Sequence, residues 1–238
     1  MTINNWLGFG ITYTYVAILL ISIELLHLRF KIPQKITRKI IHICAGMWVF
    51  AILYFFKNWQ IGILPFATFI ISNYLLYRYR LVKSMDSETS SPGTIYFAVS
   101  ITILFALFWR PTESIDNVHI ATAGVMAMTW GDALAALIGQ NFGKHQYKIG
   151  NSVRSWEGSA AMFVASTTAI FLVLWLLPGS PLAALIPVLS INQVIIAALI
   201  GGICATSMEA VAPHGIDNLT VPIITSGVLW LFLKTFQG

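Results

Sequence analysis

Residues 130–159, WGDALAALIGQNFGKHQYKIGNSVRSWEGS, place Asp132, Lys144, His145, Lys148, Arg154 and Glu157 close together in a 238-residue chain that is 57% hydrophobic and only 10% charged. Carboxylates interleaved with basic side chains suit phosphate chemistry. Mg²⁺ takes one or two carboxylates together with substrate phosphates, and lysine or arginine neutralises phosphate charge. Gly139, Gly143 and Gly158 punctuate the stretch, and glycine lets backbone amides approach phosphate oxygens. The pattern is not the GxxxxGK[ST] phosphate loop, because Gly143 follows Gly139 too soon and His145 follows Lys144. Residue types alone predict an anionic ligand and a metal here, with a set of solvated loop ion pairs as the alternative.

Apolar runs must position this chemistry. Runs of bilayer-spanning length fall near 8–28, 40–56, 61–77, 95–109, 119–140, 160–177, 182–205 and 220–236. The expectation is an all-α, polytopic helical membrane protein with about eight transmembrane helices, seven being the alternative, in one integral-membrane domain over 1–238. Pro187 marks a kink or break in the seventh span. The first span reads as retained: Lys and Arg follow its apolar run rather than precede it, unlike a secretory signal. Cys44 and Cys204 fall inside spans and read as packed thiols.

Numbering the loops alternately puts Arg29, Lys31, Lys35, Arg38, Lys39, Arg78, Arg80, Lys83, Lys144, Lys148 and Arg154 on one side. Only Lys57, Arg110 and Lys234 face the other. The basic side is the cytoplasmic one, so both termini face away from the cytoplasm. Basic residues divided among short loops without interleaved stacking aromatics argue against nucleic acid as a partner.

Acidic residues share this asymmetry, which topology does not require. Asp86, Glu88, Glu157, Glu209 and Asp217 read as cytoplasmic-loop residues, and Glu24 lies near the cytoplasmic end of the first span. Only Glu113 and Asp116 lie on the far side. Asp132 falls within the fifth span, where a carboxylate costs about 2.5–3.5 kcal/mol if central and so marks a functional site or a structural pair, Arg154 being the candidate partner. Gly124, Met128, Gly131, Ala135 and Gly139 form a stripe suited to close helix packing.

The run GDALAALIGQNFGKH…RSWEGS, preceded by TRKIIHICAG at 37–46 and followed by MEAVAPHGIDNLTVP at 208–222, resembles the phytol/dolichol kinase family of CTP-dependent polyprenol kinases. Phosphatidate cytidylyltransferases share the first half of this pattern but end in His-Gly-Gly-x-x-Asp-Arg-x-Asp. Here the segment is His214-Gly215-Ile216-Asp217-Asn218, which favours the kinase branch. Arg154 stands where the resemblance leads one to expect lysine in many relatives, which keeps the charge but changes the donor geometry.

The resemblance implies a nucleotide side built from Asp132, Gly139, Gly143, Lys144, Arg154, Ser155, Glu157 and Gly158, closed by Glu209, Pro213, Asp217 and Asn218. Asp132, Asp217 and Glu209 would hold Mg²⁺, with Lys144 and Arg154 stabilising charge on the transferring group. Arg38, Lys39 and His42 match the first block as substrate-side or phosphate-side candidates, Arg38 and His42 sharing one helical face. The implied reaction moves the γ-phosphoryl of CTP to the hydroxyl of an isoprenoid alcohol (phytol, geranylgeraniol or farnesol) in a bacterial inner or thylakoid membrane, from the cytoplasmic side. A cytidylyltransferase making a CDP-lipid is the alternative, and a membrane transporter using Asp132 and Glu24 a weaker one. The segment at 81–97 reads as a cytoplasmic connector, or as a lid over the substrate.

Overall fold

The computed structural model describes residues 3–80, 92–111, 116–149, 152–213 and 215–236. Among them the chain forms α1 (Ile3–Phe30), α2 (Gln34–Met47), α3 (Val49–Phe55), α4 (Trp59–Tyr79), α5 (Gly93–Phe108) and α6 (Val118–Phe142). A hairpin of β1 (Gln146–Ile149) and β2 (Ser152–Ser155) follows, then α7 (Trp156–Leu176), α8 (Ile191–Val211) and α9 (Asp217–Lys234). Six units are long and apolar enough to cross a membrane: α1, the Gln34–Phe55 unit of α2 with α3, α4, α6, α7 and α8. The shorter apolar α5 and the 18-residue α9 complete a helical membrane bundle.

Local chemistry explains where the helices start and stop. After α1, Lys31 adopts a left-handed backbone (φ 52°) ahead of Pro33, and α2 begins at once. Asn58 caps α4 by accepting from the Ile61 amide, and Ser190 with Gln193 forms a capping box on α8. That cap corrects the expected seventh span. Helix α8 starts at Ile191 rather than near 182, and Pro187 lies in the irregular segment before it instead of kinking it. Pro178, Pro181 and Pro187, with Gly179 at φ 75°, prevent earlier helix formation.

The later start carries α8 to Val211, so Glu209 lies in its last turn, buried, and not in a loop. Glu157 and Asp217 likewise open α7 and α9. Asp86 and Glu88 lie outside the described residues, as does most of the 81–97 segment. Asp116 is buried beyond α5, where it accepts from the Arg110 and Val118 amides. Burial there pushes its carboxyl above the usual aspartate range, against the opposing pull of those amides.

Helix α6 is the centre of the bundle, with 72% of its most apolar window buried. Small residues let its neighbours approach. At Gly46, where α2 crosses α6, an added Cβ would overlap the Thr129 hydroxyl. This contact fixes how far Lys39 and His42 of α2 stand from Asp132 of α6. Gly46→Ala is therefore expected to cost about 1–3 kcal/mol through overpacking and to lower the unfolding temperature in detergent, with Thr129→Ala restoring part of the loss. A Gly46→Ala protein as stable as wild type would contradict this close crossing.

Candidate active site

One cavity of about 1280 Å³ gathers residues from α1, α2, α4, α5, α6, β1, β2, the start of α7, the end of α8 and the turn into α9. Pockets for one small ligand run to roughly 300–1,000 Å³, so this volume suits more than one. Its charged end holds Lys35, Arg38, Lys39 and Arg154 against Asp132, Glu209 and Asp217. Its other end is an apolar arm.

Asp132 is held by Lys39, whose Nζ lies 2.5 Å from Oδ2. His42 Nε2 stands 3.9 Å from the same oxygen. The partner of Asp132 is thus Lys39, from α2, and not Arg154. Arg154 instead bridges two other carboxylates: Nε lies 3.0 Å from Glu209 Oε1 and one terminal nitrogen 3.5 Å from Asp217 Oδ2. The Nε contact is close but poorly aligned for a directed hydrogen bond, so its character is chiefly ionic. The terminal nitrogen also donates to the Glu209 carbonyl at 3.3 Å.

Asp217 and Asn218 reach this site because Gly215 takes a left-handed turn (φ 91°) just before α9. The Asn218 amide and side chain both donate to Asp217 Oδ1, at 2.9 and 3.0 Å. Pro213 lies outside the cavity lining and supports the turn by accepting from the Ile216 amide. His214 falls outside the described residues.

The hairpin was not anticipated from the sequence, and it explains the spacing of the opening stretch. Ser155 ends β2 and caps α7, accepting from the Gly158 amide at 3.1 Å. An added Cβ on Gly143 would overlap the Gly139 carbonyl and come within 2.7 Å of Ser155 Oγ. Gly139 and Gly158 pack around the same hydroxyl. These glycines therefore let the end of α6 and the start of α7 close around Ser155. Gly139, Ser155 and Gly158 also line the cavity, whereas Gly143 does not.

Glu157 holds the hairpin from outside the cavity, with Oε1 2.7 Å from His145 Nδ1 and both oxygens 3.3 Å from the His145 amide. Tyr147 adds a 2.6 Å bond to Ser159. Lys144 is exposed and does not line the cavity. Of the residues named from sequence, the structure brings together Arg38, Lys39, His42, Asp132, Gly139, Arg154, Ser155, Gly158, Glu209, Asp217 and Asn218. Sequence reasoning did not single out Gln140, Gln146 or Gly215, which also line the cavity. For Gly215 the signal was available, as a glycine two residues before a polar helix start.

No three His, Cys, Asp or Glu side chains among the described residues are grouped to hold a metal alone. Glu209 and Asp217 do converge on Arg154, and each lies close enough to the other and to Asp132 to be repelled. Mg²⁺ binds through one or two carboxylates plus substrate phosphates, and this arrangement fits that requirement.

Removing one partner of a buried ion pair costs about 3–5 kcal/mol, because the other is left uncompensated. Arg154→Met should accordingly lower the unfolding temperature markedly, and adding Glu209→Gln should recover part of the loss. Equal stability of the single variant and wild type in a detergent melt would contradict the buried bridge.

Residues 2–209 match the cytidylyltransferase family. A phytol kinase from Synechocystis is 32% identical, covering 97% of this chain and 93% of that protein. A probable chloroplastic phytol kinase from Triticum aestivum is 27% identical over 85% of this chain and 69% of its own length. The CTP-dependent diacylglycerol kinase 1 of Schizosaccharomyces pombe is 28% identical, covering 59% of this chain and 60% of that protein. No solved structure matches. The chain belongs to the cytidylyltransferase family, on its branch of CTP-dependent polyprenol kinases.

Proposed function

We propose that this protein transfers the γ-phosphoryl group of CTP to the hydroxyl of an isoprenoid alcohol, giving the alcohol monophosphate and CDP. The observation that carries the reading is a single cavity that joins a cluster of basic and acidic side chains to an apolar arm among helices. A nucleotide triphosphate needs the first and a prenyl alcohol the second. The similarity to proteins named phytol kinase supports phytol or geranylgeraniol as the acceptor.

In the reaction the alcohol oxygen bonds to the γ-phosphorus and its proton is released to water, while the bond from that phosphorus to the β–γ bridging oxygen breaks and CDP leaves with the electron pair. Phosphoryl transfer asks a protein chiefly for positioning and charge stabilisation. Lys39, Arg38 and Arg154 supply cationic groups at the charged end. Asp132 with Asp217 or Glu209 would hold Mg²⁺, which would neutralise charge on the nucleotide phosphates. Lys39 fixes Asp132, and Asn218 fixes Asp217, so these carboxylates enter the site with set orientations. The basic residues of the sequence favour the cytoplasmic side for this end of the bundle.

Purified protein given geranylgeraniol or phytol, Mg²⁺ and CTP labelled separately at the α and γ positions decides the reaction class. The γ-label is expected in the lipid, with CDP released. Transfer of the α-label would make the protein a cytidylyltransferase, as its family name allows, and transfer of neither would overturn the proposal. Diacylglycerol belongs in the same assay, and its preference over both prenyl alcohols would reassign the acceptor.

A further inference from the structure

The apolar arm has a definite floor. Along α2 and its C-cap residue Trp48, the cavity lining changes from mainly charged, at Lys35, Arg38 and Lys39, to apolar after His42, at Ala45 and Trp48. Trp48 lies six positions after His42, or about 9 Å of helix rise. Trp48 is fixed there: its ring stacks on Tyr15 with centroids 3.8 Å apart, and its Nε1 donates to Thr12 Oγ1 at 3.2 Å. Beside it, Tyr13 bonds the Thr68 hydroxyl at 2.7 Å and meets Phe69 edge-on at 5.9 Å. Both Tyr13 and Trp48 line the cavity, so the arm ends on aromatic rings held by hydrogen bonds and stacking.

Its outer wall is thin. Helices α1 and α4 have only 11% and 17% of their most apolar windows buried, so each turns a broad apolar surface outward, as a lipid-facing helix does. From α1 the wall presents Val16, Ala17, Leu19 and Leu20, and from α4 Leu75 and Leu76. A hydrocarbon chain can therefore pass from the bilayer into the arm without crossing a charged surface.

Where the arm meets the charged end stands an unsatisfied acceptor. The His42 ring bonds the Met128 carbonyl, while Nε2 is buried and has no hydrogen-bond partner. The donating nitrogen is thus Nδ1, which leaves Nε2 as a lone-pair acceptor 3.9 Å from Asp132 Oδ2. Phe97 covers the ring, with centroids 4.3 Å apart. A buried acceptor without a donor is costly, and a hydroxyl placed there supplies the donor.

We propose that this arm seats the hydrocarbon chain of the acceptor alcohol, with the hydroxyl donated to His42 Nε2 and the arm's depth, and so the preferred chain length, set by Trp48. The proposal rests on the kinase reading for its reaction, but the seat itself is testable without turnover. The occupant is a single-chain alcohol because the arm is lined mostly by apolar side chains, with Thr68, Ser72 and Asn73 engaged in hydrogen bonds of their own, reaches Trp48 and Tyr13, and begins at one hydroxyl-sized acceptor.

Two variants reshape the arm in opposite senses. Ala45→Leu fills it one turn beyond His42, and Trp48→Ala deepens it. Phosphorylation of geraniol, farnesol and geranylgeraniol is measured with each. Ala45→Leu is expected to lower the kcat/KM ratio of geranylgeraniol over geraniol about tenfold, since a hydrophobic pocket discriminates single methylenes by about 10-fold or more. Trp48→Ala should raise that ratio, with the KM for CTP within about twofold of wild type in both. An unchanged ratio in folded Ala45→Leu and Trp48→Ala proteins would overturn the proposal.

A photoreactive diazirine analogue of geranylgeraniol provides the readout without nucleotide. Crosslinks should fall on the arm-lining segments around Leu19–Leu20 and Leu75–Leu76, be displaced by excess phytol and weaken in Ala45→Leu. Labelling confined to the outward residues Ile18, Ile21 and Ile71, equally strong in both proteins, would overturn the arm whatever the activity. Arm labelling in a protein that transfers no phosphate would leave the seat standing and sink the kinase reading alone.

Discussion

Three carboxylates buried among apolar helices are the constraint on which the rest of this structure depends. Each would be expensive to insert without a partner, and the side chains of Asp132, Glu209 and Asp217 are only 14%, 7% and 8% exposed. Lys39 answers the first and Arg154 the other two. These pairings force five separate parts of the chain to one end of the bundle: the first half of α2, the second half of α6, the hairpin, the end of α8 and the start of α9. The Gly46 crossing and the closure of glycines around Ser155 are the packing solutions that make the pairings reachable. Buried ion pairs contribute little net stability compared with apolar packing, so their retention here is better explained by ligand chemistry than by folding.

A polarity gradient follows from the same arrangement. The cavity runs from paired charges, past His42 of α2, to an aromatic floor at Trp48 just beyond α2 and Tyr13 of α1. Phosphoryl transfer between a water-soluble nucleotide and a membrane alcohol requires such a junction, because neither solvent accommodates both reactants. Helices α1 and α4 separate the arm from lipid, while α6 to α9 carry most of the charged end.

Much of this was legible in the sequence, for identifiable reasons. Long apolar runs announce a helical membrane protein, and a carboxylate within such a run singles out Asp132. Long-range pairing was not legible: Lys39 and Asp132 are 93 residues apart and Arg154 and Glu209 55, and no local period links them. Arg154 was the natural guess for Asp132 because both sit in one stretch, yet the hairpin turns Arg154 toward α8 and α9. That hairpin escaped notice because its two strands are only four residues long, too short for the alternation in Gln146–Ile149 to stand out. Hydropathy also drew the seventh span too early, since the proline-rich segment before Ser190 is as apolar as the helix it precedes. The family motif named Lys144 and Glu157 beside the residues that line the cavity, but a motif does not record which way a side chain faces.

The central claim is that the Lys39–Asp132 pair and the Arg154–Glu209–Asp217 cluster act as one site. A double-mutant cycle on lipid phosphorylation, using Asp132→Asn, Asp217→Asn and the double variant, tests it most directly, with each protein first shown to be monodisperse in detergent. Groups that work as a unit give strongly non-additive losses. Each single replacement is expected to reduce kcat/KM by orders of magnitude, and the double variant should be scarcely worse than the weaker single. Fully multiplicative losses, or near wild-type activity in either folded single variant at saturating CTP and Mg²⁺, would contradict a shared site.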